Sequence, residues 1–248
     1  MPYGQMSLWG EYACPKCNNN SKNFFFPSII FILIYNSANQ LIKRIRSEYR
    51  IGPHNKKILE IIYGSLLGDG HIEKHGNGAR ISFSQESNNE KYLLWLHQKV
   101  VELGYCNPSI PKIQSRIGSK GKIRYIIRFH SFTYQSFNEI YNLWYINNKK
   151  QIPNNIEDYL TSLSIAIWTI DDGTRVGKSI KWCTNSFSYE ECLSLSQILY
   201  RKYGLKCSVH NAGKDNQYVI YVLAESMPTL RNIIKPYMVS SMLHKIQE

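Results

Sequence analysis

Two stretches of this chain end alike. "IIYGSLLGDGH" (61–71) and "SIAIWTIDDGT" (164–174) each set an apolar, helix-length run against an acid and a glycine. A carboxylate there meets the negative end of the helix, where aligned peptide dipoles already place about half a charge, so it needs a cation nearby. The surroundings of the two stretches repeat as well, and that constrains the fold most. Each is followed by a short polar turn and a strand, "ARISFSQ" (79–85) and "KSIKWCTNSF" (178–187). Amphipathic helices then run to Gly104 in "NNEKYLLWLHQKVVELG" and to Gly204 in "YEECLSLSQILYRKYG". Leu193, Ile198 and Leu199 keep helical spacing in the second, and glycine suits the left-handed residue beyond a last turn. Basic hairpins follow: "KIQSRIGSKGKIRYIIRF" (112–129), turning at Gly118 and Gly121, and "LKCSVHNAGKDNQYVIYVLA" (205–224), turning around Asn211 to Asn216. A last helix closes each half, near 133–145 and near 226–238. The chain therefore reads as α+β, a pseudo-twofold tandem repeat of α-β-β-α-β-β-α units over 51–150 and 151–248.

Gly64 and Gly68 lie four apart on one side of the first helix, where missing side chains let another backbone approach. Ala166 offers a small residue near the matching place in the second. Two such helices packed along a pseudo-twofold axis bring Asp69 and Asp172 together at one end. Neighbouring carboxylates repel. A hard divalent cation relieves the conflict, and oxygen ligands favour Mg²⁺. One Asp-Gly after a helix is commonly a turn, but two at matching places in a repeat point to a composite site. An aspartic-protease pair is excluded, because neither copy has an Asp-Thr/Ser-Gly turn and an apolar helix precedes each acid.

Thirty Lys and Arg against eighteen Asp and Glu give a net charge of +12. Such an excess favours a polyanionic partner, nucleic acid before an anionic membrane. Paired acids beside a basic surface then point to metal-assisted phosphodiester hydrolysis. Only Cys14 and Cys17 have C-x-x-C spacing, and no second pair completes a zinc site, so the cysteines read as reduced. The first fifty residues differ from the rest. "FFFPSIIFILIY" (24–35) is apolar but shorter than the roughly 20 residues a membrane span needs, and Pro27 interrupts it. A basic amphipathic stretch, "NQLIKRIRSEYR" (39–50), follows it.

"IYGSLLGDG" (62–70) and "IAIWTIDDG" (165–173) resemble the two signature helices of LAGLIDADG homing endonucleases, and the resemblance covers roughly residues 55–248. "NNKKQIPNN", "YLTSLSIAIWTIDDG", "TNSFSYEE" and "IIKPYMVSSMLHK" are similar to segments of single-chain members, whereas "HIEKHGNGAR" departs from them. The resemblance implies two units meeting through the signature helices, with two saddle-shaped antiparallel sheets along the DNA major groove. Asp69 and Asp172 match the family's metal-binding acids, and the carbonyls of Gly68 and Asp171 match its backbone ligands. Lys150 and Lys245 match basic residues near the scissile phosphates, and each follows its acid by a similar interval. Since Gly68 has no acid to match Asp171, that residue is expected to act through its carbonyl.

A two-stranded ribbon fits the major groove, where every base pair shows a distinct donor and acceptor pattern. The expected DNA contacts alternate along the strands: Lys74, Arg80, Arg116, Arg124 and Arg128 in the first half, and Arg175, Lys178, Lys181 and His210 in the second. Ser82, Gln85, Asn185 and Gln217 are polar neighbours within reach. Sheets of unequal sequence predict a long, asymmetric site, read by a monomer. "MPYGQMSLWG" (1–10) resembles a stretch within mitochondrial cytochrome b, which "EYACPKCNN" does not continue. An intron reading frame continuous with its upstream exon gives such a junction. The expected activity is a Mg²⁺-dependent double-strand break in an intronless allele, in the mitochondrion, with no membrane partner. The alternative is an RNA maturase that helps the host intron to splice.

Overall fold

The computed structural model describes residues 45–118 and 121–247. Cys14, Cys17, the apolar run 24–35 and the cytochrome-b-like decapeptide lie outside them. Helix α1 (Lys56–Leu67) starts where the Asn55 side chain accepts from the Lys57 N–H at 2.8 Å, which satisfies one free donor of the first turn. It ends when the N–H groups of Gly68 and Gly70 both donate to the Ser65 carbonyl, and the chain turns into a sheet. That sheet holds β1 (His71–His75), β2 (Gly78–Glu86), then, after α2 (Glu90–Glu102), β3 (Ile113–Ile117) and β4 (Ile123–His130). Its order is β1-β2-β4-β3, antiparallel throughout, and α3 (Phe137–Trp144) closes the unit.

A two-residue turn follows. Asn147 and Asn148 both have positive φ (50° and 61°), as a tight hairpin turn requires and asparagine tolerates. The hairpin joins β5 (Tyr145–Ile146) to β6 (Lys149–Lys150). After the short α4 (Ile156–Tyr159), helix α5 (Ser162–Asp172) begins with a capping box between Thr161 and Ser164.

The second sheet repeats the first. Strands β7 (Gly173–Val176) and β8 (Ser179–Cys183) precede α6 (Tyr189–Tyr203), and β9 (Cys207–Asn211) and β10 (Tyr218–Val222) follow it, before α7 (Met227–Ile234). Its order, β7-β8-β10-β9, matches the first. Strand β8 is shorter than the expected 178–187, because Phe187 N–H turns back to the Thr184 carbonyl and Ser188 opens α6 with its own capping box to Glu191. Gly204 takes the expected left-handed place, with φ of 67°. Leu193 does not join the core. The buried face of α6 is Cys192, Leu195, Ile198 and Leu199, one position around the helix.

Helices α1 and α5 pack against each other between the two sheets. Ser164, rather than Ala166, meets Gly64: a Cβ on Gly64 would lie 2.7 Å from the Ser164 Cα and carbonyl oxygen. Trp168 of α5 stacks on Trp182 of β8 with centroids 4.3 Å apart, and the Trp182 indole N–H donates to Thr169 Oγ1 at 3.1 Å. Cys106 and Cys192 are buried, and Cys106, Cys183, Cys192 and Cys207 are all free thiols. Among the described residues, no helix is long and apolar enough to cross a membrane.

Candidate metal and nucleic-acid site

The acids stand at the C-terminal ends of the packed helices. Asp69 is exposed, and Asp171 and Asp172 are half-buried. The Asp171 side chain fills the space that Gly68 leaves open: a Cβ on Gly68 would lie 2.5 Å from Asp171 Cβ and 2.8 Å from its Oδ2. The second glycine of α1's close-approach pair therefore admits a carboxyl rather than a backbone.

A residue of β2 links the acids. Gln85 Nε2 donates to Asp69 Oδ2 at 2.7 Å and to Asp171 Oδ1 at 3.1 Å, while its Oε1 accepts from Asn89 Nδ2 at 2.9 Å. Gln85 thus lies in the acid cluster and not on the sheet's open face. It shares the buried parity of Ile81 and Phe83, and a buried amide must find partners. That parity was the sequence signal for it. The buried Tyr92 hydroxyl interacts with Asp171 without reaching hydrogen-bond geometry.

Burial, and then the neighbouring Asp69 charge, raise Asp172 to about 7 and Asp171 well above the usual carboxylate range. Among the described residues no ion pair reaches any of the three acids. Lys150 Nζ instead donates to the carbonyls of Gly68 (3.4 Å) and Gly70 (3.2 Å), and Lys245 Nζ to the carbonyl of Ile170. Each lysine therefore meets the carbonyl-rich end of one helix. Burial lowers Lys150 to about 8 and lowers Lys245 as well, against the pull of the acids. Lys150 is delivered by the Asn147–Asn148 turn, and Lys245 by a 3₁₀ segment (Ser240–Lys245) anchored by buried Met242 and Ile246.

A model of the LAGLIDADG DNA endonuclease family matches residues 59–230, a span that holds both acid-ended helices. The chain belongs to that family. It is 49% identical over 205 residues to the cytochrome b mRNA maturase bI2 of Saccharomyces cerevisiae, covering 79% of this chain and 48% of that one. It is 48% identical over 196 residues to the protein of the same name from Debaryomyces hansenii, covering 78% and 75%. The chain thus spans about half the length of the first relative and three quarters of the second. The fold is that of the homing endonuclease I-WcaI, in a structure of that protein bound to its DNA recognition sequence. The TM-score is 0.70 at 23% identity, over 90% of this chain and 95% of that one.

Within this LAGLIDADG fold, register sorts the expected DNA contacts by face. Residues directly opposite across antiparallel strands share a face. Arg80, Arg116, Arg124 and Arg128 of the first sheet fall with Ser84, on the face away from buried Ile81, Phe83 and Ile127. Asp69, Ser84, Arg116 and Arg124 border one concavity of about 730 Å³. In the second sheet, Lys181 and His210 lie away from the core, with His210 edge-on to Tyr221.

Three expected residues leave this set. Lys74 pairs with buried Ala79 on the helix side, donates to Asn138 Oδ1 at 2.9 Å and covers the Tyr141 ring, both on α3. Arg175 pairs with buried Ile180, and its Nε bonds the Gly177 carbonyl. Lys178 lies in the turn between β7 and β8, on neither face. Sequence alternation did not fix which parity was buried in these strands. Ser82 is on the open face but fully buried, beneath longer neighbours.

Proposed function

We propose that this chain is a site-specific DNA endonuclease that uses a divalent metal, Mg²⁺, to break both strands of an intronless cytochrome b allele. The observation that carries the reading is the acid cluster: carboxylates brought together at two helix ends, with Asp171 and Asp172 raised by burial and then by the Asp69 charge, and, among the described residues, without a cationic side chain in ion-pair contact. Such oxygen donors fit a hard divalent ion. Among the described residues no three His, Cys, Asp or Glu side chains make a ligand set alone. That suits Mg²⁺, which is commonly held by one or two carboxylates together with water and phosphate oxygens.

Asp69 and Asp172 would hold the metal through their side chains, and Gly68 and Asp171 through their carbonyls. The metal supplies an activated water and charge neutralisation at the phosphate. Lys150, at the Gly68 and Gly70 carbonyls, and Lys245, at the Ile170 carbonyl, would each present a cationic side chain beside the cleaved phosphate. Asp171 places its carboxyl inside, on Gln85, and keeps Asp69 oriented through that amide. The halves 51–150 and 151–248 each provide one acid and one lysine, so a monomer suffices. Arg80, Arg116, Arg124 and Arg128 on one side, and Lys181 and His210 on the other, would follow the DNA over a long asymmetric site. The cytochrome-b-like decapeptide supports a mitochondrial intron origin.

A second reading has its own support. The relatives at 48–49% identity carry the name cytochrome b mRNA maturase, and RNA binding would use the same basic faces. Purified protein incubated with the exon-junction duplex, with Mg²⁺ and with a chelator, separates the two. Metal-dependent double-strand cleavage supports the nuclease. No cleavage, together with tight binding of the host intron RNA, establishes the maturase in its place.

A further inference from the structure

The open face of the first sheet has a feature with no counterpart in the second. Register places His71, Ser82 and His130 in one row across β1, β2 and β4, and Glu73 opposite Arg80 in the next row from Asp69. Arg80 Nε donates to Glu73 Oε1 at 2.7 Å, while His71 Nε2 and His130 Nδ1 stand 4.0 and 3.9 Å from the same carboxylate. Ser82 Oγ and His130 Nδ1 are buried with no hydrogen-bond partner in the protein. The Glu73 side chain keeps 36% of its surface exposed, and one bond from Arg80 leaves most of its lone pairs available. Glu86, the other acid of this face, differs. It is largely exposed, lies 3.6 Å from exposed Arg124, and has no such buried row beside it.

A fixed carboxylate on a face built for a polyanion repels phosphate, so it has to meet a hydrogen-bond donor. In the major groove the donors are the amino groups of cytosine and adenine, whereas guanine and thymine present keto oxygens. A carboxylate accepts from the first pair and repels the second. In the second sheet the residue at Glu73's interval after the acid is Val176, paired with Ser179.

We propose that Glu73, fixed by Arg80 between His71 and His130, is a specificity-determining residue. It selects cytosine or adenine at one position on the first-half side of the site, with no mirror on the other side. The inference rests on the DNA-endonuclease reading above. It is tested by selecting a duplex from a randomised DNA library with the full chain. Equilibrium binding of single-position variants of that duplex is then compared for wild type and Glu73→Gln. Glutamine keeps the shape and can still accept from Arg80, but it also donates and so admits keto bases. Wild type is expected to prefer an amino-bearing base at one first-half position by about tenfold or more, the size of one good base-edge contact. Glu73→Gln is expected to lose that preference alone. An unchanged profile, or a uniform loss of affinity at every position, would reduce Glu73 to an anchor for Arg80 and overturn the inference while leaving the nuclease reading intact. A library that yields no selected duplex overturns both.

Discussion

Gln85 donates its side-chain amide to Asp69 at 2.7 Å, tying the end of β2 to the acid at the end of α1. The same nitrogen reaches Asp171 from the other half. One neutral donor thus bridges carboxylates that come from both halves. A hydrogen bond to a charged group contributes about 1.5–3 kcal/mol, so its loss should be measurable. Gln85→Ala is expected to lower cleavage by about tenfold or more, through loss of Asp69 orientation, with DNA affinity changed far less. Cleavage equal to wild type at saturating Mg²⁺ would remove Gln85 from the site.

The helix pair makes a prediction about stability. With its Cβ 2.7 Å from Ser164 backbone atoms, alanine at Gly64 forces α1 and α5 apart. Overpacking of this kind costs about 1–3 kcal/mol. Urea denaturation of Gly64→Ala should show that loss. A midpoint equal to wild type would mean that the helices do not approach as closely as described.

The acid cluster predicts a pH dependence for the metal-free protein. Asp172 rises from 3.8 to about 7 on folding, so the folded state holds a proton that the unfolded state releases. Its contribution to stability is present below about pH 4 and is lost as pH rises through 7. Lys150 falls from 10.5 to about 8, so its unfavourable contribution is present below pH 8 and is relieved above it. The Asp172 contribution therefore falls between pH 6 and pH 7.5, and over that interval the melting temperature of metal-free Asp172→Asn is expected to rise relative to that of wild type. Added Mg²⁺ should raise the melting temperature more at pH 7.5 than at pH 6. A wild-type slope unchanged by Asp172→Asn would remove Asp172 as its source.

Much of this fold was legible in the sequence because its ends are marked. Gly204 past α6, Gly118 and Gly121 beside the ends of β3 and β4, the turn at Asn211–Asn216, and the two Asp-Gly junctions each fall at an element boundary. Repetition then turned local marks into a topology. Side-chain direction was harder. Lys74 and Arg175 are exposed at the sheet edge, where composition does not tell the covered face from the open one, and only the pairings with Ala79 and Ile180 decide it. The acids themselves were legible, since helix ends and charge are local. The buried parity of Gln85 was legible but its partners were not, because Asp69 and Asp171 come from both halves and only the packed helices bring them within reach. For the same reason Ser164 rather than Ala166 faces Gly64: the crossing point depends on helix rotation, which residue size alone does not set.

Asp69 and Asp172 are proposed to form one metal-dependent cleavage centre from two halves of a single chain. The most direct test measures double-strand cleavage of the cytochrome b exon-junction duplex in Mg²⁺ by wild type, Asp69→Asn and Asp172→Asn, with DNA affinity measured in parallel. Wild type is expected to cut both strands, while each variant loses most or all double-strand cleavage and keeps its affinity for the duplex. Wild-type-like cleavage by either variant would contradict the account.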